Sequence, residues 1–301
     1  MKKRIKNSIG DSAPDVVFNI IITILTFLMM IVCLYPLIYV LSASFSDPME
    51  IFAGRVWLLP KSPTIKGYST VFAYKDVWIG YGNSLLYTVA GTAINVFMTV
   101  LAAYPLSRKD LKYQKPIVML FTFTMLFNAG MIPNYLVIRD LHLLNTRWAI
   151  LIPGAINVYN MIIVRTFFRT TIPDELLESA KLDGCSDFRF LIYIVLPLSG
   201  AVVAVVALYY AVAHWNQYFN AMLYLNEKKY YPLQVFLRTI LLANSINDMS
   251  AGSVANETER TYLNELLKYS LIVVASAPLL IAYPFVQRYF VKGVMIGAVK
   301  G

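Results

Sequence analysis

Apolar residues along the chain gather into long stretches that contain no Asp, Glu, Lys or Arg. These stretches are Val16–Ser46, Asn83–Ser107, Pro116–Ile138, Trp148–Val164, Phe190–Asn226 and Tyr269–Gln287. A helix that crosses the hydrocarbon core of a bilayer needs about 20 mostly apolar residues. The pattern therefore predicts an all-α, polytopic membrane protein with six transmembrane helices.

The stretch Phe190–Asn226 is too long for one span and too short for two spans with a turn. Proline cannot donate a hydrogen bond inside a helix, so Pro197 marks a natural break. We expect the fifth span to run from about Leu196 to Ala213. The following polar segment, 227–268, is predicted to hold a helix over Glu257–Lys268.

The composition excludes several classes of protein. Hydrophobic residues make up 58% of the chain and charged residues 14%, against about 45–50% and about 25% in soluble domains. This excludes a soluble enzyme, a disordered chain and a disulfide-stapled secreted domain. Cys33 lies in an apolar stretch and Cys185 in a polar loop, so we expect two free thiols.

The basic residues account for the net charge of +9 and predict the orientation in the membrane. With both termini in the cytoplasm, the inner segments (1–15, 108–115, 165–189 and 288–301) hold 15 Lys and Arg in 62 residues. The outer loops (47–82, 139–147 and 227–268) then hold 11 in 87 residues. An excess of Lys and Arg in cytoplasmic segments is the rule for membrane proteins, and it makes nucleic acid an unnecessary partner.

The predicted spans carry no carboxylate, lysine or arginine that could move with an ion. Ion-coupled transporters usually place such groups inside the membrane. The histidines, His142 and His214, lie in separate segments, so neither a metal site nor a catalytic residue is expected. The protein is therefore either passive or driven by another subunit.

The loop between the fourth and fifth spans contains a predicted cytoplasmic helix. Pro173, Asp174 and Glu175 are typical of a helix start, and Gly184 suits a helix C-cap. Leu176, Leu177 and Ala180 form an apolar stripe at helical spacing. Ser186 or Asp187 can cap the next helix. By periodicity alone, this helix could dock on a soluble partner or merely tie the two spans together.

The residues of this loop also form a specific motif. Glu178-Ser179-Ala180, three residues, Gly184, nine residues, Ile194, one residue and Leu196-Pro197 resemble the EAA motif of importer-type ABC permeases, with Ser179 in place of an alanine. Trp215-Asn216-Gln217-Tyr218, Met131–Tyr135 and the ending 291–301 are similar to segments of MalG-like permeases of carbohydrate (CUT1-type) importers. The resemblance covers roughly residues 75–301. Within this group, the general character of the sequence is most similar to the permeases of the lipoprotein-dependent complex-oligosaccharide importers of Gram-positive bacteria.

The resemblance implies a type I ABC importer permease fold and a non-catalytic transport subunit in a bacterial cell membrane. It also implies the partners: a second homologous permease, two ATP-binding subunits that bind ATP and Mg²⁺, an extracellular solute-binding protein and an oligosaccharide. This chain itself would hold no cofactor. The residues implied to couple it to the ATPases are Leu176, Leu177, Glu178, Ser179, Ala180, Asp183, Gly184, Leu196 and Pro197. In the C-terminal tail, Gly297, Lys300 and Gly301 would contact the ATPases.

The resulting domain organisation has four parts. A cytoplasmic N-terminus covers 1–15, the first span and its outer loop cover 16–74, and the tail covers 291–301. The ABC transmembrane type-1 domain covers 75–290 and includes the coupling loop 171–187.

Uncharged polar and aromatic residues in the apolar stretches are candidates for the substrate path, although each could equally be a helix contact. These candidates are Asn128, Tyr159, Asn160, Trp215, Asn216, Tyr218 and Asn220. An acidic glycan would need nearby cations, and Arg139, Arg147 and Arg165 are the nearest to these stretches. The alternatives are a permease for another solute, such as glycerol phosphate, and a membrane-embedded enzyme or scaffold.

Overall fold

The computed structural model describes residues 13–247, Tyr262, Glu265 and 267–284, and in this part of the chain all regular structure is helical. The helices in chain order are α1 Ala13–Ser44, α2 Pro48–Phe52, α3 Lys66–Ala73, α4 Lys75–Ser107, α5 Gln114–Leu126, α6 Met131–Asp140, α7 Trp148–Leu151, α8 Val158–Thr171, α9 Asp174–Leu182, α10 Asp187–Phe190, α11 Leu196–Leu198, α12 Gly200–Trp215, α13 Phe219–Tyr224, α14 Leu233–Asn247 and α15 Leu267–Pro284. A π-helical turn, Leu191–Val195, joins α10 to α11, and a short 3₁₀ turn covers Lys228–Tyr230.

Three of these helices, α1 from Pro14, α4 and α15, are long and apolar enough to cross a membrane. Two bent pairs bring the number in the described residues to five if each pair is one span: α5 with α6, bent by 113°, and Asp187–Leu198 with α12, bent by 84°. The all-helical architecture is confirmed. The apolar stretches are interrupted, however, at points that hydropathy did not locate.

Polar residues explain two of these interruptions. The stretch predicted as a single third span breaks between α5 and α6, where Gly130 has φ +88° and its N–H donates to Asn128 Oδ1 at 2.9 Å. The predicted fourth span divides at 152–157 into α7 and α8. The side chain of Asn157 there caps α8 by accepting from the N–H of Asn160 at 3.1 Å. The break near Pro197 was predicted, and it falls at Ser199.

The predicted outer segment 227–268 contains a helix that the sequence did not indicate. The helix α14 begins just after Pro232, with Leu233 and Val235 buried. The prediction placed a helix at Glu257–Lys268, most of which lies outside the described residues. Burial of apolar residues against α4 and α13 explains why α14 forms where it does.

The described chain forms two compact units. One contains 13–70 with Tyr262, Glu265 and 267–273. In this unit most of α1 is exposed, and its C-terminal end is polar: Ser44 Oγ lies 2.7 Å from Tyr68 OH, and Ser42 Oγ donates to the carbonyl of Leu58 at 2.6 Å. Apolar surface of this extent requires lipid or protein around it.

The other unit contains 71–247 and 274–284 and is built around α4, which packs on α8 and α12. Its core carries a polar seam. His214 of α12 shares a hydrogen bond with Asn95 of α4 at 2.7 Å, and Thr99 Oγ1 lies 2.7 Å from Tyr210 OH. Tyr210 OH also accepts from the N–H of Asn157 at 3.1 Å. Apolar helices in a membrane gain specificity from such buried polar pairs.

Gly91 of α4 makes room for the imidazole of His214. A Cβ at position 91 would lie 2.4 Å from His214 Nε2, and the ring is held by Asn95 at 2.7 Å and by Gln217 at 3.3 Å. We expect Gly91→Ala to destabilise the protein by about 1–3 kcal/mol, the usual cost of overpacking a core. Thermal unfolding of the purified protein in detergent measures this loss.

Gly82 provides the matched control, because it lies in the same helix and an added Cβ would meet nothing within 4 Å. Gly82→Ala should therefore leave the unfolding temperature unchanged or raise it. In a His214→Ala background the cost of Gly91→Ala should disappear, since the clashing ring is gone. Equal melting of the two alanine variants would contradict this account of the core.

Candidate coupling element

The helix α9 forms for the local reasons that the sequence indicates. Pro173 is its N-cap residue, and Asp174 and Glu175 occupy the first turn, where carboxylates interact favourably with the helix dipole. At the other end Gly184 has φ +73° and donates its N–H to the carbonyl of Lys181 at 3.0 Å. Cys185 donates to the carbonyl of Ala180 at 2.9 Å. These two bonds are a Schellman motif, and they confirm the predicted glycine C-cap.

The start of the following helix is also as predicted. Ser186 caps α10, its Oγ accepting from the N–H of Arg189 at 3.4 Å. Both cysteines are free, as the sequence predicted. The two short helices α9 and α10 are thus joined by a turn at Gly184, where φ is positive.

Two of the three residues in the predicted apolar stripe of α9, Leu177 and Ala180, face the protein itself. Ala180 is buried, and Leu177 is partly buried against the same core as Phe168 and Phe190. Leu177 and Ala180 are three residues apart, so they lie on the same face of the helix, and this face packs against the core. Of the three predicted stripe residues, only Leu176 is exposed, with 39% of its surface accessible.

The outer face of α9 combines a carboxylate with a large apolar residue. Glu178 is exposed and makes no ion pair within the described residues. Leu182, four residues later and therefore adjacent on the helix surface, is 89% exposed. Sequence reasoning missed Leu182, although its spacing from Glu178 could have indicated it. Within the described chain, the outer face of α9 therefore presents a leucine and an unpaired carboxylate side by side.

The remaining motif residues shape the element. Ser179 Oγ donates to the carbonyl of Glu175 at 2.9 Å, so the hydroxyl that replaces the usual alanine is satisfied within α9. Asp183 is the exposed C-cap residue. Leu196 and Pro197 follow the π-helical turn Leu191–Val195 and precede the 84° bend into α12. Proline removes a backbone donor here, and π-turns absorb such irregularities in helices.

Ion pairs connect both ends of α9 to the segment that follows α4. Lys109 Nζ lies 2.5 Å from Asp174 Oδ2, and Lys181 Nζ lies 3.2 Å from Asp110 Oδ2. Hydrogen bonds from Arg108, and secondarily from Lys181, hold the pKa of Asp110 well below its usual range. A carboxyl with a lowered pKa stabilises the folded state above its unfolded pKa, and this stabilisation is lost only as pH falls through the folded value.

Several residues predicted for the substrate path are already engaged within the chain. Trp215 is buried and donates its indole N–H to the carbonyl of Ala275 at 3.0 Å, so within the described chain it packs as a core residue. Asn216 Nδ2 donates to the carbonyl of Val212 at 2.9 Å, at the end of α12. A buried indole N–H needs a hydrogen-bond acceptor, and the carbonyl of Ala275 supplies it for Trp215.

The other predicted path residues differ in exposure. Asn160 is buried, whereas Asn128, Tyr159 and Asn220 are exposed. Tyr218 is partly buried at the edge of a second apolar core. A path that two permeases share would leave its lining exposed in one chain. The tail residues Gly297, Lys300 and Gly301 lie outside the described residues.

The arginines near the apolar stretches have different partners. Arg139 pairs with its neighbour Asp140 at 2.9 Å, and Arg165 donates to the carbonyl of Leu106 at 2.7 Å. Arg147 makes no ion pair in the described part of the chain, and its guanidinium lies 5.8 Å from the ring centre of Tyr230.

A further arginine, Arg238 of α14, was missed because its partner is distant in sequence. Its guanidinium lies 4.5 Å from the ring centre of Tyr218, and within the described residues it too has no carboxylate partner. Tyr218 and Tyr230 pack against the same apolar core. Two guanidinium groups without carboxylates therefore stand over aromatic rings of one cluster.

The chain is similar to proteins of known role over most of its length. It is 41% identical over 276 residues to the polygalacturonan/rhamnogalacturonan transport system permease protein YtcP of Bacillus subtilis (strain 168), covering 90% of this chain and 94% of that protein. It is 39% identical over 270 residues to Protein LplC of the same organism, covering 90% of each.

A solved structure agrees in fold. It is a crystal structure of a bacterial ABC transporter involved in the import of the acidic polysaccharide alginate. One of its chains matches with a TM-score of 0.84 and 34% identity, over 93% of this chain and 98% of that chain. The profile described as "binding-protein-dependent transport system inner membrane component" matches residues 77–296. With its apolar helices and its EAA-type loop, the chain belongs to this family of ABC importer permeases.

Proposed function

We propose that this protein is the permease subunit of an ATP-driven importer of acidic oligosaccharides, and that α9 receives the work of the ATPases. The observation that carries the proposal is the geometry of α9. Its inner face is anchored in the chain's own core through Leu177 and Ala180, and its outer face presents Glu178 and Leu182. A force on the outer face of α9 can therefore displace the helix while its inner face stays packed against the core.

The partners of the proposed complex follow from the family. A second, homologous permease completes the path, two ATP-binding subunits hold ATP and Mg²⁺, and an extracellular binding protein delivers the sugar. The density of Lys and Arg supports an orientation with both termini and α9 in the cytoplasm. This chain contributes no catalytic group. Closure of the ATPases moves α9, and the spans alternate between outward- and inward-open states.

The proposed cargo is an oligosaccharide that contains uronate residues. The names of two similar proteins concern acidic polymers, polygalacturonan/rhamnogalacturonan and alginate. Arg147 and Arg238 supply guanidinium groups that no carboxylate of the described chain neutralises. Guanidinium binds a carboxylate through two parallel hydrogen bonds, and tyrosine rings offer a flat surface for a sugar. The outer loops that hold both arginines would meet the arriving cargo.

The cargo is tested in proteoliposomes that contain the complete complex with its binding protein. Oligogalacturonate is expected to raise ATP hydrolysis and to accumulate inside. The same oligomer with its carboxyl groups reduced to alcohols should do neither, because only the carboxylate distinguishes the two. Arg147→Gln with Arg238→Gln should weaken the response to the acid about tenfold or more, as expected when charge-assisted hydrogen bonds are lost.

Two results would count against this assignment. Equal stimulation by the reduced oligomer would make the cargo a neutral sugar. Stimulation by glycerol phosphate, and by no oligosaccharide, would exclude sugar import altogether. In either case the role of α9 would stand if uptake still required ATP.

A further inference from the structure

Arg108 lies at the end of α4, where the chain contacts α9 and α10. It is the first residue after Ser107, with extended backbone. Its Nε donates to Asp110 Oδ1 at 2.9 Å, Nη2 bonds Asp110 Oδ2, and Nη1 bonds Asp187 Oδ1. The guanidinium also lies 5.8 Å from the ring centre of Tyr104. Every polar edge of this side chain is in use.

Arg108 bonds α10 directly and α9 through Asp110. Its connections therefore lie on both sides of Gly184, the glycine at which α9 turns into α10. Asp187 is the first residue of α10, and Asp110 accepts a third bond from Lys181 in the last turn of α9. Lys109, next in the chain, pairs with the first residue of α9. Three successive residues, Arg108, Lys109 and Asp110, thus hold α9 at both ends and α10 at its start.

Burial separates Arg108 from the rest of this network. Its side chain is 13% exposed, whereas the carboxylates it binds are 49% and 60% exposed. Exposed ion pairs add little stability because water and salt screen them. A largely buried arginine that binds one carboxylate through two parallel bonds fixes position more firmly, and lysine cannot reproduce that geometry.

At the other end of the connection, the last turn of α4 is bonded to two further helices. The carbonyl of Leu106, in the last turn of α4, accepts from Arg165 of α8 at 2.7 Å and from Gln114 of α5. Leu106, Tyr104 and Ala180 share one buried core. A displacement of α9 and α10 at this point therefore acts on α4, α5 and α8 together.

The geometry points to Arg108 as a positioning residue that transmits the movement of the α9–α10 element to the end of α4. This inference rests on the proposed function, since it assumes that α9 receives the work of the ATPases. In this role Arg108 acts through Asp110 and Asp187 and not on ATP or cargo. Its role is to keep the α9–α10 element and the spanning helix α4 in a fixed relative position while they move.

The test measures coupling directly, as oligosaccharide taken up per ATP hydrolysed by the complete complex in proteoliposomes. Arg108→Gln is expected to lower this ratio about tenfold, within the range usual for coupling between sites, with ATP hydrolysis within about twofold of wild type. Arg108→Lys keeps the charge without the planar fork and should give an intermediate ratio. Arg55→Gln, at an exposed ion pair with Glu50, is the control and should change nothing.

A second set of variants avoids any folding defect at Arg108. Lys109 and Asp174 are both more than half exposed. Lys109→Asp alone should lower the ratio by about twofold or more, the effect of an exposed pair turned repulsive. Adding Asp174→Asn should restore part of it, because asparagine removes the repulsion without placing a cation at the start of α9. A merely structural role would lower complex yield at an unchanged ratio.

An unchanged ratio in Arg108→Gln, or failure of Asp174→Asn to restore any coupling to Lys109→Asp, would overturn the inference. The proposed function fails in a different way. In that case the wild-type complex shows no ATP-dependent uptake, and Glu178→Lys behaves like wild type. The two failures are therefore distinguishable in one set of preparations.

Discussion

Replacing Gly184 with proline is expected to abolish ATP-driven uptake while leaving the protein in the membrane. Gly184 has φ +73°, which the proline ring cannot adopt, and its N–H donates to the carbonyl of Lys181. Both features of the turn from α9 to α10 would be lost. The spans do not depend on this turn, so membrane content should be preserved. Uptake into proteoliposomes, normalised to the amount of inserted protein, measures the effect.

Other substitutions at Gly184 separate backbone conformation from bulk. A Cβ at this position would meet nothing within 4 Å, so size alone is not limiting within the chain. Asparagine tolerates the left-handed region and should retain most activity, whereas valine, which is branched at Cβ, should lose nearly as much as proline. If asparagine and valine were equally inactive, packing against a partner would be responsible and the conformational argument would fail.

The parts of the molecule that local chemistry decides were predictable from sequence. The start of α9, its glycine cap and the serine cap of α10 depend on residues within a few positions of each other. The same holds for the helical class, because apolar stretches without charges have few alternatives in a bilayer. These predictions needed no knowledge of which helices are neighbours.

The parts that the sequence did not reveal depend on tertiary contacts. Leu177 and Ala180 form a stripe in either orientation, and only the position of the core shows that it points inward. The bond from Arg108 to Asp187 joins residues 79 positions apart, and no pattern in the sequence predicts such a pairing. The breaks at Gly130 and Asn157 lie in apolar surroundings, where hydropathy predicts continuity and a single polar cap decides otherwise.

Reversing the charge of Glu178 is expected to stop ATP-driven uptake as completely as the proline at position 184, but by a different route. Glu178 is exposed and unpaired in the described chain, so the isolated protein loses no contact when it becomes lysine. In the proposed complex, however, the family resemblance implies a basic residue of the ATPase opposite Glu178. Loss of one member of a buried charge pair costs about 2–5 kcal/mol, and a like charge adds repulsion. Docking of the ATPase should weaken at least about 30-fold.

The comparison that gives this prediction its force uses three variants in the same vesicles. Glu178→Gln removes the charge without reversing it and should fall between wild type and Glu178→Lys. Asp15→Lys makes the same change in net charge at an exposed carboxylate of α1, and it should transport normally. Leu182→Ser tests the apolar half of the same face. Because Leu182 is 89% exposed, its replacement can weaken binding only through a partner. Normal ATPase binding by both Glu178→Lys and Leu182→Ser would show that the outer face of α9 touches nothing, and the coupling role of this helix would then be wrong.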